Sequence, residues 1–163
     1  MAALGEEALR AIGFAAVGRN VLISERASFH GAQRITIGDD VRIDDFCVLS
    51  AGEGGIVIGR NVHIAVYSSL IGAGRITLED FANVSSRVSI YSSNDDYSGA
   101  TMSNPTVPDE FKNVQHADVR IGEHVIIGCG CVVLPGIVLD TGVVVGALSL
   151  AAVLWLPCLH LFF

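Results

Sequence analysis

The stretch Ile121-Gly-Glu-His-Val-Ile-Ile-Gly-Cys-Gly-Cys-Val-Val-Leu-Pro-Gly-Ile-Val-Leu-Asp-Thr-Gly-Val-Val-Val145 decides the fold. Ile121, Ile127, Val133, Leu139 and Val145 recur every six residues along it, and Gly122, Gly128 and Gly146 directly follow three of them. A period of six matches neither an amphipathic helix, with about 3.6 residues per turn, nor a strand alternating at about 2. It matches a chain that turns a corner every six residues and sends one aliphatic side chain inward per side. Three such sides close a triangular coil of about 18 residues.

Outward from this stretch the same unit recurs. Ile35-Thr-Ile-Gly-Asp-Asp-Val-Arg-Ile43 and Ile56-Val-Ile-Gly-Arg-Asn-Val-His-Ile64 superimpose on Val119-Arg-Ile-Gly-Glu-His-Val-Ile-Ile127, and Ile76 to Val84 and Ala16 to Ile23 are looser copies. Val17, Ile37, Ile58 and Leu78 are spaced 20, 21 and 20 apart, so each coil carries a small bulge such as Gly52-Glu-Gly-Gly55 or Gly72-Ala-Gly74. Glycines at the corners supply left-handed or crowded backbone. A β-sandwich with short strands gives no reason for Ile-Gly at fixed spacing. Two segments depart from the repeat. Glu6 to Ile12 reads as one short helix within a cap over residues 1–15, burying the open end of the first coil. The excess between Leu78 and Ile121 reads as an ordered excursion loop over 91–118 within a coiled region 16–150, and long excursions in compact domains are usually functional.

Composition bounds the function. The 163 residues suit one domain. A net charge of -7 argues against nucleic acid or an anionic membrane as partner. The cysteines Cys47, Cys129, Cys131 and Cys158 follow no zinc spacing, so reduced thiols in a cytoplasmic protein are expected, and the N-terminus shows no secretory pattern. From Val143 to Phe163 there is no Asp, Glu, Lys or Arg.

With these hexads on the page, the chain resembles the hexapeptide-repeat acyltransferases. Asp39-Asp-Val-Arg-Ile-Asp-Asp-Phe-Cys-Val-Leu-Ser50, Val62-His-Ile-Ala65, Ser85-Ser-Arg-Val-Ser-Ile-Tyr-Ser92, Asp95-Asp-Tyr-Ser-Gly99 and Asn104-Pro-Thr-Val-Pro108 are similar to the bacterial galactoside or surface-polysaccharide sugar O-acetyltransferases. The resemblance covers residues from about 6 to about 150. It implies an all-β, left-handed parallel β-helix, a homotrimer with its site in the groove between subunits, and transfer of acetyl from acetyl-CoA to a hydroxyl or amine of a sugar, nucleotide sugar or glycan in polysaccharide biosynthesis. The acceptor attacks the thioester directly, and a His serves as general base. Such a site needs a group titrating near neutrality, donors for the thioester oxyanion and a groove for a long thin cofactor.

His63 is the first candidate base. It precedes an inward aliphatic and should face outward, where a neighbouring subunit could meet it. Many relatives carry the base in the long loop, and that place here holds Asp95. Asp95 is expected to orient the histidine or bind the sugar, with Asp96, Tyr97 and Asn94 as acceptor contacts, although adjacent Asp residues in loops often form turns instead. His116 is the second candidate base; His124 reads as surface, and His30 carries no assignment. The resemblance also assigns Gly128, Cys129, Gly130, Gly146 and Ala147 to the pantetheine groove, where corner geometry is the competing reason for glycine. No metal is expected. Two rival functions remain: a catalytically silent β-helix that serves as an interaction module, and a β-helical carbonic anhydrase, for which Arg42 and Asn83 stand where further zinc histidines belong.

After Leu150 the family pattern of a basic residue, a proline turn and a final strand is absent. Residues 151–163 instead form an apolar tail, expected to be a replaced C-terminus such as a reading-frame change produces, weakening CoA binding rather than spanning a membrane.

Overall fold

The computed structural model describes residues 1–152; the tail expectation for 153–163 lies outside the described residues. The chain winds into a triangular parallel β-solenoid with three faces of six strands each. The first face stacks Ala16–Val17, Ile35–Ile37, Ile56–Ile58, Ile76–Leu78, Val119–Ile121 and Val138–Leu139. The second stacks Leu22–Ile23, Arg42–Ile43, His63–Ile64, Asn83–Val84, Ile126–Ile127 and Val144–Val145. The third stacks Ser28–His30, Val48–Ala51, Ser69–Gly72, Ser89–Tyr91, Val132–Val133 and Leu150–Ala151. Ala151 is therefore part of the last described strand, paired with Val133, so the coiled region runs one residue past the boundary expected at 150.

Register follows the hexad. Ile23, Ile43, Ile64, Val84, Ile127 and Val145 stand opposite one another on the second face, so like side chains stack into an aliphatic column. The core is richer than one inward residue per side. Val41, Val62, Ala82 and Val125 are also at most 1% exposed, and Cys47, Ser68, Val88 and Cys131 fully buried, so the residues leading into the strands fill the corners of the triangle. Burying this much aliphatic surface is the driving force for winding.

The corners use glycine only in part: Gly130 and Gly142 are left-handed there, with φ of 70° and 76°, as are Gly55 and Gly136 at the third corner. The other left-handed positions are filled by Asn20, Asp40, Asn61, Phe81 and His124 at one corner and by Phe46, Tyr67, Arg87 and Leu148 at the next, all with φ between 56° and 63°. The Ile-Gly glycines serve close approach instead: a Cβ on Gly38 would lie 2.6 Å from the Gly59 carbonyl oxygen of the next coil.

Glu6–Ile12 is helical, bounded by Gly5 and a left-handed Gly13. Glu6 and Glu7 in its first turn and Arg10 in its last suit the helix dipole. Leu9 and Phe14 pack onto the first coil, where Phe14 meets Phe29 edge to face at 4.9 Å. The excursion is closed at its neck by Ser93–Asn94 running antiparallel to Gln115–His116. Among the described residues no helix is long and apolar enough to cross a membrane.

Candidate active site

Parallel register turns the corner between the second and third faces into a set of columns. One position beyond the inward residues lie Asp44, Ala65, Ser85, Gly128 and Gly146, and two positions further lie Phe46, Tyr67, Arg87, Gly130 and Leu148. Backbone bonds tie the coils together here: Tyr67 N–H donates to the Asp45 carbonyl (3.1 Å), Arg87 to Val66 (3.0 Å), Gly130 to Ser86 (3.0 Å) and Leu148 to Cys129 (2.8 Å). The five residues expected to meet pantetheine thus share one corner, and Ser85 lies one coil from them on the same line. Its upper part carries Gly, Cys and Ala, apart from an exposed Leu148; its lower part is bulky and polar. Gly128 has a packing reason of its own, since a Cβ there would come within 2.5 Å of the Ala147 nitrogen. Cys129 is exposed, while Cys131 is buried with its thiol donating to the Gly146 carbonyl at 2.9 Å, so the two thiols face opposite sides of the wall.

His63 stands on the outer side of the second face, flanked in register by Arg42 and Asn83. Its Nε2 lies 2.9 Å from Asp44 Oδ2, and Arg42 Nε donates to Asp44 Oδ1 at 2.7 Å. Burial pushes the Asp44 carboxyl up, but the hydrogen bonds from His63 and Arg42 outweigh it and hold the group below the ordinary carboxylate range. An ionised carboxylate only accepts, so Nε2 carries a proton, and in the neutral ring this tautomer leaves the Nδ1 lone pair free. Asp44 was not among the expected site residues, although a repeat of 20 or 21 places it beside Ala65 and hence next to His63.

The excursion forms a second region. Tyr91, Ser93, Asn94, Asp95, Tyr97, Val114, Val132 and Leu134 line a groove of about 350 Å³, which gathers three of the expected acceptor residues. Asp96 points elsewhere: it accepts from Ser98 N–H and Thr101 Oγ1, each at 2.8 Å, and Ser98 and Thr101 hold its carboxyl down to about 2. That is the turn-forming role of an Asp whose side chain bonds the backbone two residues on. His116 lies at the neck, where its Nδ1 meets Ser93 Oγ at 2.8 Å. A larger cavity, about 830 Å³, opens between the N-terminal helix and the first coil and contains none of the expected site residues. In a single chain His63 and Ser85 belong to one corner of the prism, whereas Asp95 leaves the third face at its opposite edge.

No protein-family model matches the chain. A curated Escherichia coli protein, dTDP-4-amino-4,6-dideoxy-D-glucose acyltransferase, is 60% identical over 149 residues, which cover 91% of this chain and 78% of that one. The chain belongs to the hexapeptide-repeat acyltransferases. Among solved structures, the N-acyltransferase AntD from Bacillus cereus is similar: an aspartate variant in complex with dTDP and coenzyme A is 44% identical, with a TM-score of 0.88, covering 93% of this chain and 81% of that one. A serine-to-cysteine variant in complex with dTDP-4-amino-4,6-dideoxyglucose and coenzyme A is also 44% identical, with a TM-score of 0.86 over 91% of this chain and 79% of that one. This acyltransferase is accordingly an enzyme of sugar acyl transfer with an acyl-CoA co-substrate.

Proposed function

We propose that the enzyme moves the acyl group of an acyl-CoA, acetyl-CoA in the first instance, onto the 4-amino group of dTDP-4-amino-4,6-dideoxyglucose. The reading further places it in the cytoplasm as a homotrimer, making an N-acylated sugar for surface polysaccharide. The observation that carries it is the 60% identity to an enzyme of that name across 91% of the chain. A detail supports it. The solved AntD variants replace a serine and an aspartate ten positions apart, and Ser85 and Asp95 here have the same separation. Ser86 and Asp96 share the spacing, but Asp96 is consumed by its turn, whereas Asp95 lines the groove.

In this reading Asp95 accepts a hydrogen bond from the acceptor amine and aims its lone pair at the thioester carbonyl carbon, while the small-residue corner holds the pantetheine arm. The C–N bond forms, the C–S bond breaks, and the proton leaving nitrogen ends on the CoA sulfur, so the reaction balances without an acyl-enzyme. Because the corner and the loop groove lie at opposite edges of one face, a neighbouring copy supplying the second element completes the site.

A second reading keeps His63 as the general base, favoured by Asp44 fixing its ring and leaving Nδ1 free. Incubating the protein with acetyl-CoA and the 4-amino sugar nucleotide, or its 4-hydroxy counterpart, and following free CoA and product mass tests the function. N-acetylated product from the amine alone is expected; transfer only to the hydroxyl counterpart, or none, overturns the proposal. His63→Ala separates the readings: a fall in kcat of at least about a hundredfold supports the base, and near-normal turnover leaves Asp95 as the acting residue.

A further inference from the structure

The chain holds nine arginines and one lysine against a net charge of -7, so each guanidinium has carboxylates to choose from. Arg10, Arg19, Arg26, Arg42, Arg60 and Arg120 are each ion-paired to an Asp or Glu. Arg34 and Arg75 donate to the carbonyls of Ala51 and Gly54. Among the described residues only the Arg87 guanidinium has neither kind of partner. It is nevertheless held in place: it lies over the Tyr67 ring at 5.9 Å, Tyr67 stacks on Phe46 at 5.0 Å and 9°, and Arg26 covers the far side of Phe46 at 5.5 Å. Four side chains from successive coils thus form one exposed stack, three of them on left-handed backbone. A stacked guanidinium gives up one face to the ring and keeps its edge of N–H donors for a ligand.

We infer that Arg87, seated on Tyr67, binds the diphosphate of the sugar-nucleotide acceptor. The guanidinium edge matches two phosphate oxygens in a charge-assisted pair. Both co-substrates carry a diphosphate, and position separates them. Arg87 is two residues from Ser85, at the level where the reacting groups meet under the proposed function, on which this inference rests. In a 4-amino sugar nucleotide the diphosphate sits across one hexose ring from the amine. In CoA it lies a full pantetheine arm from the thioester, and the corner from Gly128 to Leu148 through which that arm would run carries no basic side chain.

The test is calorimetric titration of wild type, Arg87→Gln, Arg87→Lys and Tyr67→Leu with dTDP and, separately, with CoA, each variant's thermal midpoint being recorded alongside. Arg87→Gln should weaken dTDP binding by at least about tenfold, the loss of one charge-assisted phosphate pair, and leave CoA affinity within about twofold. Arg87→Lys should recover part of the loss, and Tyr67→Leu, which removes the seat but keeps the charge, should fall between. In turnover the effect should appear as a raised KM for the sugar nucleotide at nearly unchanged kcat. Unchanged dTDP affinity in Arg87→Gln overturns the inference, and a loss confined to CoA overturns it by assigning Arg87 to the donor. A wild type that binds no dTDP overturns the proposed function itself, a result independent of the variants.

Discussion

One Asp44 carboxylate oxygen accepts from His63 Nε2 on the following coil at 2.9 Å, and the other accepts from Arg42 Nε on its own coil at 2.7 Å. Because its carboxyl is held below the ordinary value near 3.8, the pair contributes stability that is fully present above that value and is lost as pH falls through the lowered one. Thermal midpoints of wild type and Asp44→Asn should therefore differ at pH 7 and converge as pH falls below the lowered value. A constant gap across that range would show that Asp44 acts by packing alone.

Replacing Asp95 by Asn keeps the shape of the loop groove and removes the negative charge proposed to hold the amine. Turnover of the amino-sugar nucleotide should drop about a hundredfold while KM for acyl-CoA stays near wild type, measured by initial rates at varied donor.

Burial pushes the Cys47 thiol up to about 11, whereas Cys129 is exposed on the corner assigned to pantetheine. Iodoacetamide at pH 7.5, read by peptide mass mapping, should alkylate Cys129 in the native protein and reach Cys47 only on unfolding. Saturating CoA should protect Cys129; unprotected labelling would place the pantetheine arm elsewhere.

Gly38→Ala directs a methyl group at the Gly59 carbonyl, 2.6 Å away in the neighbouring coil, and backbone cannot swing aside. A loss of about 1–3 kcal/mol in denaturant unfolding is expected. Gly5→Ala, with open space around its Cβ, serves as the control and should cost less, since it gives up only glycine's advantage over alanine at a helix N-cap.

Asp96 tests the loop rather than the chemistry. Its carboxyl stays ionised to about pH 2, so the hydrogen bond from Ser98 N–H should persist through mild acid and the turn should open only as pH approaches that value. Hydrogen exchange of Ser98, corrected for intrinsic rate, reports it. Asp96→Ala should expose the same amide at neutral pH.

The solenoid was legible because its cause is local: one aliphatic every sixth residue writes the coil directly into the chain, and Ile121 to Val145 carries it almost without error. The corners were less legible, since left-handed backbone suggests glycine, and the chain places glycine there at Gly130 and Gly142 but Phe46, Tyr67, Phe81 and Arg87 on other coils of the same columns. Asp96 could not be told from Asp95 by type or neighbour; only the path of the loop turns one into its own hydrogen bonds and the other into a groove. Asp44 was missed for a different reason. It lies 19 residues before His63, and only the stacking of coils makes that separation a contact. Arg87 gives no signal in sequence at all, because what marks it is the lack of a partner, which exists only after every other arginine has found one.

Among the described residues the strands of each coil pair with those of the coil above and the coil below, and none of the solenoid strands pairs across the stack. Such a molecule unfolds less like a droplet than like a column of coins, with stability summed from neighbour to neighbour. Damage at an end, near Val17 or Val145, should fray a coil and leave the rest standing, whereas damage at Ile64 or Val84 cuts the column where the reacting groups are proposed to meet. Activity and the cooperativity of melting therefore depend on the same middle coils, so an activity assay doubles as a gauge of whether the column is whole.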